Sequence, residues 1–178
     1  MAYEKKMIVL GIDPGYRNLG ISVVRLRKGK EPNILYSTNL NLGDAHQPLN
    51  FVKLLLPRLN ALNKKYGIDA VASESPPYIM KRVKTTAGLW TVSAIIATWA
   101  ELKGISFRHA SPISLKRATA RVLGVKFETK KMPKKSAIKE AVMQLCDTCP
   151  DTSHEADSIL AALVLYSNLI PDEKITTP

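Results

Sequence analysis

The chain has 178 residues, 46% of them hydrophobic, enough for one domain with a full-sized core. Its 26 Lys and Arg against 15 Asp and Glu leave a formal net charge of +11, which calls for a polyanionic partner. No transmembrane run and no basic amphipathic helix is present, so nucleic acid is a better partner than membrane, and two cysteines make no disulfide scaffold.

In chain order, Ile8, Val9, Leu10 and Ile12 predict a first strand that ends on Asp13, where Pro14-Gly15 breaks it. Gly20 opens a second strand that runs to Arg27, and Asn33 to Leu42 reads as a third after a polar turn at Arg27 to Lys30. Apolar residues at Leu49, Val52, Leu55, Leu56, Leu59 and Leu62 repeat at helical spacing, so Leu49 to Tyr66 is expected to be a helix. Pro57 is a point of kinking or division, and Gly67 a C-cap. Ile68 to Ser73 predicts a short buried strand that delivers Glu74. Thr85 to Leu102 is a helix ended by Gly104, and Ile105 to His109 a fifth strand. Ser111 as N-cap with Pro112 at N1 opens a helix to about Leu123. A basic segment to Lys131 and helices over Pro133 to Leu145 and Glu155 to Asn168 complete the chain, with a loose tail from Pro171. No repeat or long linker divides it, so one domain over residues 1–178 is expected.

Three meander strands, then helix, strand, helix, strand and further helices describe a ribonuclease H-like α/β fold, a five-stranded mixed sheet flanked by helices. Asp13 ends a strand that is apolar on both faces, and a carboxylate there needs a cation or a hydrogen-bond partner. It is therefore either a metal ligand or a buried structural acid. In such a sheet strands one and four are neighbours, so Asp13 and Glu74 can meet, and His154 and Asp157 share one face of the last helix. Such a cluster can hold two divalent ions about 4 Å apart that activate water and stabilise a leaving oxygen. Carboxylates suit Mg²⁺ or Mn²⁺, and one imidazole among them sits more naturally with Mn²⁺.

GIDPGYRNLGISVV resembles the opening motif of the RuvC-type Holliday-junction resolvases, AVASESPPY their second, and SHEADSILAALVL their last. SPISLKRATARVLG resembles the helix before the family's basic loop, and the resemblance runs from about Met7 to Asn168. It implies that Asp13, Glu74, His154 and Asp157 are the catalytic, metal-binding set; many members carry aspartate where His154 stands, and some histidine. It also implies a homodimer acting on branched DNA in recombination and repair, with an aromatic near the junction centre. Glu155 is read as a solvated first-turn residue favoured by the helix dipole.

Lys81, Arg82 and Lys84 follow Glu74 in an expected loop, and Lys116, Arg117 and Arg121 share a helix. Lys126, Lys130, Lys131, Lys134, Lys135 and Lys139 continue the basic run, with Glu128 almost alone among them as an acid. A one-sign field of this kind fits phosphate-backbone contact, which positions DNA without reading its sequence. Tyr78 either stacks on an unpaired base or packs on the sheet edge. Trp90 and Trp99 read as core or dimer interface, and Ala87, Gly88, Ala94, Ala97 and Ala100 as a close helix contact within a monomer or between two. Cys146 and Cys149 lack a second ligand pair for zinc, Asp147 and Asp151 are reserve carboxylates, and His46 and His109 read as structural.

The expected activity is a structure-selective endonuclease that resolves four-way DNA junctions by paired metal-dependent nicks. A related nuclease acting on flaps, forks or RNA–DNA hybrids and a non-catalytic junction-binding protein stay open. A sugar-kinase or actin-type ATPase also uses a D-x-G turn, but needs two lobes and a second phosphate loop, for which the chain is too short. The opening MAYEKKMIVL has an acid and no long apolar segment, which reads as an intracellular protein of a bacterial or phage-infected cytoplasm.

Overall fold

The computed structural model describes residues 6–15, 17–28, 30–43, 48–76, 83–122, 140, 142–143 and 150–167. Among the described residues five strands make one sheet: β1 Lys6–Asp13, β2 Asn18–Arg27, β3 Lys30–Asn41, β4 Ala70–Glu74 and β5 Ser106–Ala110. Their order is β3-β2-β1-β4-β5, with the first three antiparallel and β1-β4 and β4-β5 parallel. The expected meander and mixed sheet are both present, and the β1 strand lies at the centre. Asp69 locks β1 to the start of β4, accepting the Ile8 N–H on Oδ2 at 2.7 Å and donating its own N–H to the Ile8 carbonyl at 2.9 Å.

Among the described residues four helices with described bounds flank the sheet: α1 Pro48–Tyr66, α2 Val83–Leu102, α3 Pro112–Val122 and α4 Ser153–Ser167. Strand alternation sorts the core into two layers. Ile8, Leu10, Ile12, Leu19, Ile21 and Val71 pack against α1 and α2 through Leu55, Leu59, Ile96 and Trp99. Val9, Val24, Ala70 and Ala72 pack against α3 and α4 through Leu115, Ala118, Ile159 and Ala162.

The caps follow the sequence. Gly67 at φ +65 ends α1, donating to the Asn63 carbonyl at 2.8 Å, and Gly104 at φ +66 ends α2. Ser111 Oγ accepts the Ser114 N–H at 3.1 Å, as an N-cap serine does. The phase of α1 is the first correction. Leu49 is 59% exposed, whereas Phe51, outside the expected stripe, is buried with Leu55, Leu59 and Leu62. Pro57 does not divide the helix; it stands on the solvent side, where the carbonyl of exposed Lys53, deprived of a helical donor, can turn to water. Apart from helical Glu140, Val142 and Met143, the expected helix over Pro133 to Leu145 lies outside the described residues, as do the basic segment to Lys131 and the tail.

Candidate active site

Alternation decides which face each acid takes. Val9 and Ala72 belong to the α4 face, so Asp13 and Glu74, each an even number of residues further on, project to that face as well. Asp13 and Glu74 stand one residue beyond the Ile12–Ser73 pair of neighbouring strands, about 4.8 Å apart in backbone. α4 crosses this end of the sheet with its first turn and brings the third group. His154 Nδ1 lies 2.6 Å from Asp13 Oδ2, with the histidine side chain 39% exposed and the aspartate 12%. Asp157, half-buried, follows one turn later on the same helix face.

Two glycines set this approach, Gly20, read from the sequence only as the opening of the second strand, and Gly11, which that reading passed over. A Cβ on Gly20, the register partner of Asp13, would stand 2.0 Å from the His154 carbonyl oxygen and 3.2 Å from Asp13 Cβ. A Cβ on Gly11 would stand 2.0 Å from the Ser158 carbonyl oxygen and 3.0 Å from Ala162 Cβ. The α4 backbone therefore lies directly on the sheet at these two positions, where no side chain intervenes. The signal was legible as two glycines inside strands, which often mark close backbone approach.

The start of α4 corrects a second expectation. Glu155 is not solvated: it is 7% exposed, and its Oε2 accepts a hydrogen bond from Ser37 Oγ of β3 at 3.1 Å. Its N–H donates to Thr152 Oγ1 at 3.2 Å, so Thr152 caps a helix that begins two residues earlier than expected. Thr152-Ser153-His154-Glu155 is a T-x-x-E capping pattern, a signal the sequence reading missed, with its acid turned to the sheet rather than back to the cap.

Three carboxylates and one imidazole suit a hard divalent ion in kind, and the backbone brings their positions to one end of the α4 face. Among the described residues, no group of three or more His, Cys, Asp or Glu side chains is gathered as an ion cage. The side chains as they stand gather the Asp13–His154 pair, and Asp13, as a buried acid, has the partner its burial requires.

Of the expected DNA contacts, Lys84 is exposed in the first turn of α2, Arg117 is exposed and Lys116 half-buried on α3, and Arg121 lies near the α3 end. Tyr78, Lys81, Arg82, Lys126, Lys130, Lys131, Lys134, Lys135 and Lys139 lie outside the described residues, as do His46, Cys146, Asp147 and Cys149. Asp151 is exposed. The two tryptophans part company. Trp99 is core, 3% exposed and donating to Asn60 Oδ1 at 3.0 Å, whereas Trp90 is 44% exposed, 6.1 Å from His109. His109 is itself exposed and edge-on to Phe107 at 5.0 Å. Of the small residues on α2, Ala100 is buried, while Ala87 and Ala94 are exposed. Among the described residues no helix is long and apolar enough to cross a membrane.

No protein-family model matches the chain. Over 112 residues it is 31% identical to the crossover junction endodeoxyribonuclease RuvC of Syntrophomonas wolfei subsp. wolfei, an alignment covering 63% of this chain and 64% of that protein's length. Among solved structures, Thermus thermophilus RuvC in complex with a Holliday junction substrate matches with a TM-score of 0.75 at 19% identity, covering 92% of this chain and 96% of that one. The yeast mitochondrial Holliday junction resolvase Ydc2 matches with a TM-score of 0.63 at 19% identity, covering 89% of this chain and 77% of that one. The structural likeness shows the fold, ribonuclease H-like, as the element order implied.

Proposed function

We propose that the chain is a RuvC-type, divalent-metal-dependent endodeoxyribonuclease that resolves four-way DNA junctions by paired nicks in recombination and repair. The observation that carries this reading is the buried carboxylate of Asp13 at the end of the central strand, met at 2.6 Å by His154. The 31% identity to a crossover junction endodeoxyribonuclease supports it. Asp13, Glu74, His154 and Asp157 are the residues that would hold the metal, Mg²⁺ or Mn²⁺ and two ions per site. When bound, such ions supply an activated water and charge stabilisation for the leaving oxygen of a phosphodiester.

The chain's own residues do the rest. Asp13 and Glu74 come from adjacent strands of a rigid sheet, and His154 and Asp157 from one helix face, so the geometry does not depend on loops. Hydrolysis leaves 5′-phosphate and 3′-hydroxyl ends. Lys84, Lys116, Arg117 and Arg121, with Lys81, Arg82, Lys130, Lys131, Lys134 and Lys135, bind phosphates, and Tyr78 stacks at the crossover. A homodimer pairs two sites on opposed strands. The exposed face of α2, with Val83 at 70%, Trp90 at 44% and Leu102 at 81%, supports a second copy as its cover. It borders an apolar groove of about 610 Å³ between α1 and α2, lined by Val52, Leu56, Ala94, Ile95 and Trp99. The protein acts in the cytoplasm.

The test is cleavage of a synthetic mobile four-way junction with Mg²⁺ or Mn²⁺, beside linear duplex, flap and RNA–DNA hybrid controls. Symmetric nicks confined to the junction, and lost in Asp13→Asn while binding persists, are the expected result. Preferential cutting of flaps or hybrids moves the substrate assignment, and tight junction binding without cleavage in either metal sinks the nuclease reading.

A further inference from the structure

The α4 backbone meets the sheet at two points, the His154 carbonyl over Gly20 and the Ser158 carbonyl over Gly11. Residues four apart lie one above the other along a helix, so these two contacts define a line close to the α4 axis. They set the height of the helix above the sheet. They do not stop it rolling about that line, and a roll of about 10° moves a side-chain end about 5 Å from the axis by about 1 Å.

Contacts on either side of the line oppose that roll. Gly20 pairs with Asp13 on β1 and with Asn39 on β3, and Ser22, two residues on, pairs with Gly11 on β1 and with Ser37 on β3. The line from Gly20 to Gly11 therefore leaves Asp13 on one side and Ser37 on the other. α4 reaches both with consecutive residues, which diverge by about 100° around a helix. His154 Nδ1 lies 2.6 Å from Asp13 Oδ2, and Glu155 Oε2 accepts from Ser37 Oγ at 3.1 Å. Only the second contact is made by groups outside the candidate metal set. The lone pairs that join Asp13 to His154 are the ones an ion would take, so that pair cannot also hold the helix. Glu155 is 7% exposed, and its main chain is fixed as well as its carboxylate. Its N–H donates to Thr152 Oγ1 at 3.2 Å, and its carbonyl accepts from Ser158 Oγ at 2.7 Å.

We propose that Glu155, held by Ser37, is a positioning residue: it locks the roll of α4 and so aims His154 and, three residues on, Asp157 at the end of the sheet that carries Asp13 and Glu74. This role rests on the metal-dependent nuclease reading for its use. Glu155 and Ser37 touch neither metal nor DNA; they fix the angle at which the α4 ligands are presented. Outer partners that orient metal ligands typically account for about 10–100-fold in metal affinity or activity.

Wild type, Ser37→Ala, Glu155→Ala, Glu155→Gln and the double variant Ser37→Ala/Glu155→Ala test it, with thermal melting to verify folding. Each is read by the ring NMR signals of its three histidines in metal-free protein, by Mn²⁺ affinity without DNA, and by junction cleavage with kcat and KM separated. Glu155→Ala should shift the His154 signals, weaken Mn²⁺ binding about tenfold and lower kcat on the order of 10²-fold with KM unchanged. Glu155→Gln keeps the length and an oxygen acceptor for the Ser37 hydroxyl, and recovers most of both losses. Ser37→Ala gives the same changes in weaker form, and the double variant is no worse than Glu155→Ala. Ser37→Ala, which deletes one hydroxyl, carries the test if Glu155→Ala does not fold. Wild-type His154 signals, Mn²⁺ affinity and kcat in a folded Ser37→Ala or Glu155→Ala overturn the anchor. Equal losses in Glu155→Gln and Glu155→Ala also overturn it, because charge rather than the grip on Ser37 is then the cause. Wild type that binds Mn²⁺ but cuts no junction sinks the junction reading, while the His154 signals and Mn²⁺ affinities of the variants still judge the anchor. Wild type that neither binds Mn²⁺ nor cuts overturns both.

Discussion

The two faces of the sheet are built by different rules. Against α1 and α2 the strands present Ile8, Leu10, Ile12, Leu19 and Ile21, large aliphatic groups that interdigitate with Phe51, Leu55, Leu59 and Ile96. Against the start of α4 they present Gly11, Gly20, Ser22 and Asp13, and the helix answers with Ala156, Ser158, Ala161 and Ala162. The first face gains stability from apolar area removed from water. The second gives up much of that area so that a helix backbone can come into contact with strand backbone. What it gains is position: His154 is carried onto Asp13 by main-chain packing rather than by a flexible side chain or loop.

Four substitutions break or sharpen this contrast. Leu55→Ala, on the aliphatic face, should cost about 2–5 kcal/mol of stability and leave DNA cleavage intact below the melting transition, read by thermal denaturation and junction cleavage together. Activity that falls further than stability would erase the division of labour. Gly20→Ala should reverse the pattern, because its methyl meets helix backbone, which cannot rotate away. We expect a stability loss of about 1–3 kcal/mol and cleavage reduced on the order of 10²-fold, since a 1 Å misplacement can cost that much. Retained cleavage would show that α4 need not sit where it does.

Thr152→Ala removes the cap of α4 and should cost about 1 kcal/mol in chemical denaturation. Ser22→Ala has the smallest effect and the opposite sign. Ser22 is fully buried and its hydroxyl finds no partner among the described residues, so alanine should be neutral or stabilising by up to about 1 kcal/mol. A clear destabilisation would mean that the hydroxyl has a partner, and the α4 face would be more polar than it appears from its side chains.

The same contrast explains which parts of the protein could be read in advance. Strand order, the capping glycines and the Ser111 cap were legible, because local pattern and turn chemistry act over a few residues and leave their mark on residue type. The places of Asp13 and Glu74 at the ends of neighbouring strands were legible for a related reason, since an apolar run that stops at an acid shortly before a proline marks a strand end. The phase of α1 was misread because Leu49 is as hydrophobic as Phe51, and only docking against the sheet chooses between them. Glu155 was misread because local rules place an acid in the first turn of a helix in solvent, while β3 brings Ser37 to it across 118 residues of chain. Trp90 and Trp99, nine residues apart on one apolar helix, could not be told apart until the helix met the sheet and put one inside and one out.

The amino-acid sequence by itself thus determined the element types, the mixed sheet and the donor types on offer at the candidate site, since these depend on periodicity, punctuation and residue type. Tertiary structure alone decided how closely α4 approaches the sheet and which side chains its first turn meets. Those are distances between segments far apart in the chain, and no local propensity encodes them.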